Sequence, residues 1–428
     1  MKKKIITTPF DRNKLPPKQN IILALLIWLI CLFVAIKHKL KITKVRMKGL
    51  KPPFIVISAH LSFTDFFITP LLLFPYRANY VGELETFEEY GEWLFRQVGC
   101  LGTRKYINDP VLVKNIIKII KRKSILVLYH EGRFSNIGTN SKLEESVGKL
   151  CKMLKVPVVS VNMHGSYLRS PTWGKKARKE AKLEAIATQV FTTEELEKVS
   201  YQEINKKLQE HLTFDDYKWQ FDTKLKITYK KRAKGIELVL YSCPCCETEF
   251  KMETKNAEIF CGNCGARWQL SEYGTMEPLN PSQEYKNREI NFSHIPNWYE
   301  WQRSRVACEI ESGKYLLNIK VHIESLPNAV NFIDLGEGLL IHNEKGFALT
   351  FKDYEETEEK TLCFVPLSMS SLHTEYNYCN KGQCITLSTF DNTYFLYPRG
   401  AGFNATKIQF ATEYMFERAK RRVKKNPD

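Results

Sequence analysis

Phe54-Ile-Val-Ile-Ser-Ala-His60-Leu-Ser-Phe-Thr-Asp65-Phe-Phe67 is an apolar, β-branched run that delivers a histidine, followed five residues later by an aspartate. Pro52 and Pro53 keep the approach extended. After His60 the pattern turns helical, and Ser62 or Thr64 can serve as N-cap. The stretch therefore reads as strand, short loop, helix. In one continuous helix, residues five apart point about 140° away from each other. If the helix begins after His60, the loop can fold the imidazole back onto the Asp65 carboxylate. A histidine held in one tautomer by an acid meets the requirement for a general base. Taken alone, the pair also reads as a loop histidine bonded to a helix-capping aspartate.

Residues 54–165 continue the pattern. Strands are expected over Arg77–Gly82, Ile125–Tyr129 and Val156–Val161, with helices over Glu85–Gln97, Asp109–Lys123 and Leu143–Leu154. Alternation of this kind implies a mixed α/β sheet with flanking helices, whose sites lie at the strand ends. His60 stands at one strand end and Glu131-Gly132-Arg133 at another. Arg104, Lys105 and Arg133 are candidate phosphate contacts, and Gly99, Gly102 and Gly132 before them let the backbone approach a ligand.

Upstream, Ile21–Ile36 is an unbroken apolar run between lysine-rich flanks. As a helix it would be about 24 Å long, short of the roughly 30 Å hydrocarbon core. It is expected to anchor the chain to a membrane, by spanning or dipping into one leaflet; a core helix and a targeting segment are its alternatives. The net charge of +17 suits an anionic partner such as a phospholipid surface. Hydrophobic content of 43% argues against disorder.

Downstream, Cys243-Pro-Cys-Cys246 and Cys261-Gly-Asn-Cys264 form two Cys-x2-Cys knuckles. Cys243, Cys246, Cys261 and Cys264 supply four thiolates for a tetrahedral Zn²⁺ in a small ribbon. An iron–sulfur centre or a redox dithiol would use the same residue type. Four thiolates leave no open position, so the metal is expected to be structural, with no catalytic metal. Metal ligation in place of a disulfide framework points to a reducing compartment. From about Trp298 the chain reads as antiparallel strands, closed by a helix from about Asn404 to Lys424; this layout looks similar to a pleckstrin-homology-like module.

Four ordered blocks carry a resemblance. His60…Asp65, Gly99-Cys-Leu-Gly-Thr-Arg104-Lys105, Tyr129-His-Glu131-Gly132-Arg133-Phe-Ser135 and Val156-Pro157-Val-Val-Ser-Val resemble the glycerolipid acyltransferases, in particular the 1-acyl-glycerol-3-phosphate acyltransferase family. The resemblance covers about residues 20 to 220. The third block departs from the family's usual Pro-Glu-Gly-Thr-Arg-Ser: His130 stands at the proline and Arg133 one place early. It implies that His60 is the general base on a lysophospholipid hydroxyl and that Asp65 orients it. Arg104, Lys105, Glu131, Gly132, Arg133 and Ser135 would hold the acceptor, by default 1-acyl-glycerol-3-phosphate. The donor would be acyl-CoA or acyl-acyl carrier protein.

The organisation expected is a basic N-terminus with its anchor (1–50), an acyltransferase domain (51–222), a zinc ribbon (236–275) and a β-rich module (298–428). The chain would sit on the cytoplasmic face of a membrane, anchored by residues 21–36. Nucleic acid is not an expected partner. The alternative reading is a membrane-tethered, inactive adaptor that uses its ribbon and basic surface to bind protein or nucleic acid.

Overall fold

The computed structural model describes residues 6–280, 284–400 and 402–425. Lys2, Lys3 and Lys4 of the basic N-terminus lie outside the described residues. The first half runs α1 (Ile21–Lys37), β1 (Lys41–Val45), β2 (Ile55–Ser58), α2 (Asp65–Leu73), β3 (Ala78–Glu83), α3 (Leu84–Tyr90), α4 (Glu92–Gln97), β4 (Cys100–Thr103), α5 (Pro110–Lys121) and β5 (Ile125–Tyr129). It continues through α6 (Glu145–Leu154), β6 (Val158–His164), α7 (Ser166–Arg169), β7 (Glu184–Phe191), α8 (Thr193–Lys198), α9 (Tyr201–Leu212) and α10 (Asp216–Asp222).

These strands form one sheet in the order β1-β7-β6-β2-β5-β3-β4. Neighbours are parallel except β6 and β7. β2 is buried at every position and β5 nearly so, which is why both read as continuous apolar runs and not as alternation. Gly91 breaks the single helix expected over Glu85–Gln97 into α3 and α4. The strands β1, β4 and β7 are additions to the sequence reading.

Residues 6–20 are strapped across this domain through their backbone carbonyls. Arg96 donates to the carbonyls of Asp11 (2.8 Å) and Lys14 (2.7 Å), and Arg122 to that of Pro16 (2.7 Å). The α1 helix packs against α2, with Trp28 edge-on to Phe74 at 5.1 Å. Its other face leaves Ile22, Leu29, Phe33 and Ile36 exposed.

The membrane anchor expected at residues 21–36 is overturned. Among the described residues no helix is long and apolar enough to cross a membrane. The α1 helix has 17 residues, about 25 Å of rise, and already ends on Lys37. No membrane-anchoring segment is shown, and the expectation that the chain sits on the cytoplasmic face of a membrane falls with it.

Four short strands follow: β8 (Met252–Lys255), β9 (Glu258–Cys261), β10 (Arg267–Leu270) and β11 (Met276–Pro278), in the order β11-β10-β9-β8. The chain then forms α11 (Ile295–Glu311), where the sequence pattern read as strand-rich. Seven antiparallel strands come next: β12 (Leu317–Ser325), β13 (Ile333–Asn343), β14 (Gly346–Lys352), β15 (Glu359–Phe364), β16 (His373–Glu375), β17 (Cys384–Ser388) and β18 (Thr393–Arg399). Their order is β15-β14-β13-β12-β18-β17-β16, and α12 (Ala405–Lys425) closes the chain against α11.

Gly165, between β6 and α7, has φ +81° and donates its N–H to Asp216 at 3.1 Å. A Cβ there would run into the Lys182 carbonyl oxygen. Gly165→Ala is therefore expected to cost about 2–4 kcal/mol, from the left-handed backbone and the overlap together. A denaturant midpoint equal to that of the wild type would contradict it.

Candidate active site

His60 follows β2 and Asp65 opens α2. The turn between them brings the two side chains together: His60 Nδ1 lies 3.0 Å from Asp65 Oδ2. The same oxygen accepts the backbone N–H groups of Leu61 (2.6 Å) and Ser62 (3.2 Å). The Ser166 hydroxyl donates to Asp65 Oδ1. Asp65 is fully buried, so these four donors fix its carboxylate and, through it, the imidazole. A proton on Nδ1, bonded to Asp65, leaves Nε2 as the nitrogen with the lone pair. Aromatic rings clamp the imidazole: Tyr129 stacks on it at 4.1 Å, and Phe134 tilts against it at 4.4 Å.

His60 lines a cavity of about 1420 Å³. This exceeds the roughly 300–1,000 Å³ of drug-sized sites. One wall is apolar, built from Leu26, Ile27 and Ile30 of α1 with Phe63, Phe66 and Phe67. The strand ends carry the polar side chains. The roof comes from the C-terminal module, through Tyr299 and Arg303 of α11 and Phe410 and Glu413 of α12. No local sequence pattern announces that roof.

Glu131, after β5, is buried, and burial pushes its carboxyl up to about 7. Its Oε2 accepts from the Ser141 hydroxyl at 3.3 Å, while Oε1 has no hydrogen-bond partner. His130 is also enclosed, with no hydrogen bond to either ring nitrogen and Nε2 at 3.7 Å from Glu131 Oε1; burial and then the charge of His60 push it down to about 3. Gly132 has φ +64° and leaves room beside Tyr106, whose hydroxyl donates to the Glu131 carbonyl at 3.1 Å. Ser135 ties the loop down: its N–H donates to the His60 carbonyl at 2.9 Å and its hydroxyl to that of Thr139 at 2.7 Å.

The raised Glu131 has a stability consequence. Its folded pKa of about 7 lies above its ordinary 4.5, so the folded chain holds that proton more tightly than the unfolded one. The resulting stability is full below about pH 4.5 and is lost as pH rises through about 7. A neutral glutamine carries no such dependence. Glu131→Gln is thus expected to match the wild type near pH 4.5 and to exceed it by up to about 3 kcal/mol at pH 8. Chemical denaturation of both proteins at the two pH values checks this, and a pH-independent difference would refute it.

The three candidate phosphate contacts all have protein partners. The Arg104 guanidinium donates to the carbonyls of Leu326 (2.8 Å), Pro327 (2.7 Å) and Asp391 (2.8 Å), and to the Thr393 hydroxyl (2.9 Å). It is a clasp between the two halves of the chain. Burial lowers it to about 10. Lys105 pairs with Glu83 and lies 2.9 Å from His373 Nδ1. Arg133 pairs with Glu413 at 3.3 Å and reaches the Ser141 hydroxyl at 3.2 Å. Burial opposes the charge of Glu413, yet Arg303 and Arg133 beside it hold it down to about 2. Arg303 and Glu413 are site residues that the sequence reading missed.

The four knuckle cysteines also converge. Their sulfurs lie within 4.8 Å of one another, with Cys243–Cys264 and Cys246–Cys261 both at 3.7 Å. A tetrahedron with metal–sulfur bonds of about 2.3 Å has edges of about 3.8 Å, so the spacing fits a bound ion. All four are free of disulfides. Gly265, at φ +73°, returns its N–H to the Cys261 carbonyl at 2.9 Å and shapes the second knuckle. The group can hold a metal ion.

Part of the chain is similar in backbone course to the crystal structure of the 1-acyl-sn-glycerophosphate (LPA) acyltransferase PlsC from Thermotoga maritima. Identity is 16%, the TM-score is 0.37, and the match covers 44% of this chain and 76% of that one. A likeness at that level carries no argument about activity. No family model matches the chain, and no curated protein does.

Proposed function

We propose that the chain is an acyltransferase that moves a fatty acyl group from an acyl thioester, acyl-CoA or acyl-acyl carrier protein, to the hydroxyl of a lysophospholipid. The observation that carries this reading is the buried His60–Asp65 pair opening onto a large, mainly apolar cavity. His60 Nε2 takes the hydroxyl proton as the oxygen attacks the thioester carbonyl carbon. Collapse of the tetrahedral intermediate breaks the carbon–sulfur bond, and the departing thiolate takes the proton back from the imidazolium. No acyl-enzyme is needed, because a thiolate is already a good leaving group. The apolar wall suits the acyl chains, and the strand ends suit the headgroup. Among lysophospholipids, the family resemblance implies 1-acyl-glycerol-3-phosphate. We assign the four-cysteine group to structural Zn²⁺, because four sulfurs at tetrahedral spacing fill the coordination shell of that ion.

A second reading, an inactive adaptor, is favoured by one observation: Arg104 is consumed as a clasp between the halves. One experiment separates the two. Purified full-length protein is incubated with acyl-CoA and a panel of lysophospholipids, and lipid products are followed by mass spectrometry. A new diacyl lipid supports the acyltransferase; absence of any product across the panel rejects it.

A further inference from the structure

The cavity is acidic in a strongly basic protein. Among the described residues, nine glutamates and five arginines and lysines line it, against a net charge of +17 for the whole chain. All five cations have partners within the protein. Lys105 pairs with Glu83, Arg133 and Arg303 share Glu413, and Lys142 pairs with Glu417. Arg104 is bound to the C-terminal module. Glu85 and Glu131 form no ion pair with an arginine or lysine, and Glu131 Oε1 is buried without a hydrogen bond, with His130 Nε2 at 3.7 Å as its nearest basic group. A doubly charged phosphate monoester would therefore meet spent cations and unpaired carboxylates.

Topology sets Glu131 one strand spacing from the base and Glu85 beyond a second. β2 pairs with β5 through Ser58 and Tyr129, which sets His60 level with Glu131. β3 pairs with the other side of β5 through Tyr80 and Val127, which sets Glu83 level with His130. Glu85 follows in the first turn of α3. From His60 to the end of β3 is two strand spacings, about 10 Å. An extended glycerophosphoethanolamine has a comparable reach from its free hydroxyl to its nitrogen. Arg303 also pairs with Glu300 at 2.9 Å, so the Arg133–Glu413–Arg303–Glu300 group is neutral and has no surplus charge for the second negative charge of a phosphate monoester.

We infer that the acceptor is a lysophospholipid with a phosphodiester headgroup bearing a primary ammonium, and that Glu85 and Glu131 receive that ammonium. This rests on the acyl-transfer reading above. A buried acceptor without a donor is satisfied by an N–H group, so the site selects a primary over a quaternary ammonium.

The test is the ratio of kcat/KM values for full-length wild type with acyl-CoA and three acceptors: lysophosphatidylethanolamine, lysophosphatidylcholine and lysophosphatidate. The ethanolamine lipid is expected to lead both others by at least about tenfold. Glu85→Gln, at a half-buried carboxylate without an ion pair, is expected to lower the ratio of kcat/KM for the ethanolamine lipid over that for lysophosphatidate about tenfold, and an unchanged ratio overturns the inference. A lead for lysophosphatidate or the choline lipid, or equal use of all three, overturns the inference and leaves acyl transfer standing. Transfer to none of them overturns acyl transfer and the inference with it.

Discussion

His60→Ala is expected to lower kcat for acyl transfer about 10³- to 10⁴-fold with little change in fold, a loss at the upper end of what one positioned acid–base group supplies. Among the described residues that line the cavity, His60 is the histidine with one ring nitrogen 3.0 Å from a fully buried carboxylate, which leaves the other nitrogen for the hydroxyl proton. Its removal deletes contacts to Tyr129 and Phe134 and no backbone hydrogen bond of its own side chain. Asp65→Asn should behave differently. Asp65 is the common acceptor for Leu61 and Ser62 N–H, the Ser166 hydroxyl and His60. An amide in its place offers one acceptor oxygen and turns donors toward donors, so activity and about 2–4 kcal/mol of stability should fall together. The measurements are initial rates at saturating thioester, paired with denaturation curves. A His60→Ala protein that retains wild-type kcat would remove the general base from the account.

Loss of the metal assigned above to the four cysteines should be the most damaging change to the fold. The strands β8 to β11 are short, and a unit of this size rarely buries enough core to stand by itself. Stripping the metal, or replacing Cys246 by serine, is expected to destabilise the chain by about 5 kcal/mol, near 10 °C in Tm. The effect should spread to the cavity. Ser242, next to the first knuckle, donates its N–H to Gln302 of α11 at 2.8 Å and accepts from Trp298 Nε1 at 2.9 Å. Lys407 of α12 bonds Glu249, beside that knuckle, at 2.6 Å. Both helices carry the roof over His60. Acyl transfer should therefore fall with the ribbon, although none of its cysteines lines the cavity. Calorimetry and activity with and without a strong chelator test this, and unchanged Tm after complete metal removal contradicts it.

The parts of the site that could be read from the sequence are those written in neighbouring residues. The five-residue step from His60 to Asp65 predicts their contact, provided a helix starts between them, and α2 starts at Asp65. Ile125–Tyr129 was an unambiguous apolar run, and it is β5 at those same bounds. The cysteine spacing forecast four converging sulfurs. What escaped was contact at long range. Arg104 looked like a phosphate ligand because nothing near it in sequence hints at Leu326, Pro327 or Asp391 as its acceptors. Glu413 lies 280 residues from the Arg133 it neutralises. The apolar run at 21–36 has the composition of an anchor, and periodicity alone does not distinguish that from α1, which lays Leu26, Ile27 and Ile30 along the cavity. Trp298 and its neighbours open a stretch that reads as strand-rich, but they pack one buried face of α11.

Acyl transfer from a thioester to a lysophospholipid hydroxyl, with His60 as the base, is tested by measuring free thiol and new acyl ester in the same reaction, for wild type and His60→Ala at equal folded concentration. One ester is expected for each thiol released by the wild type, and neither from the variant above background. Thiol release without ester, or equal ester formation by both proteins, would contradict it.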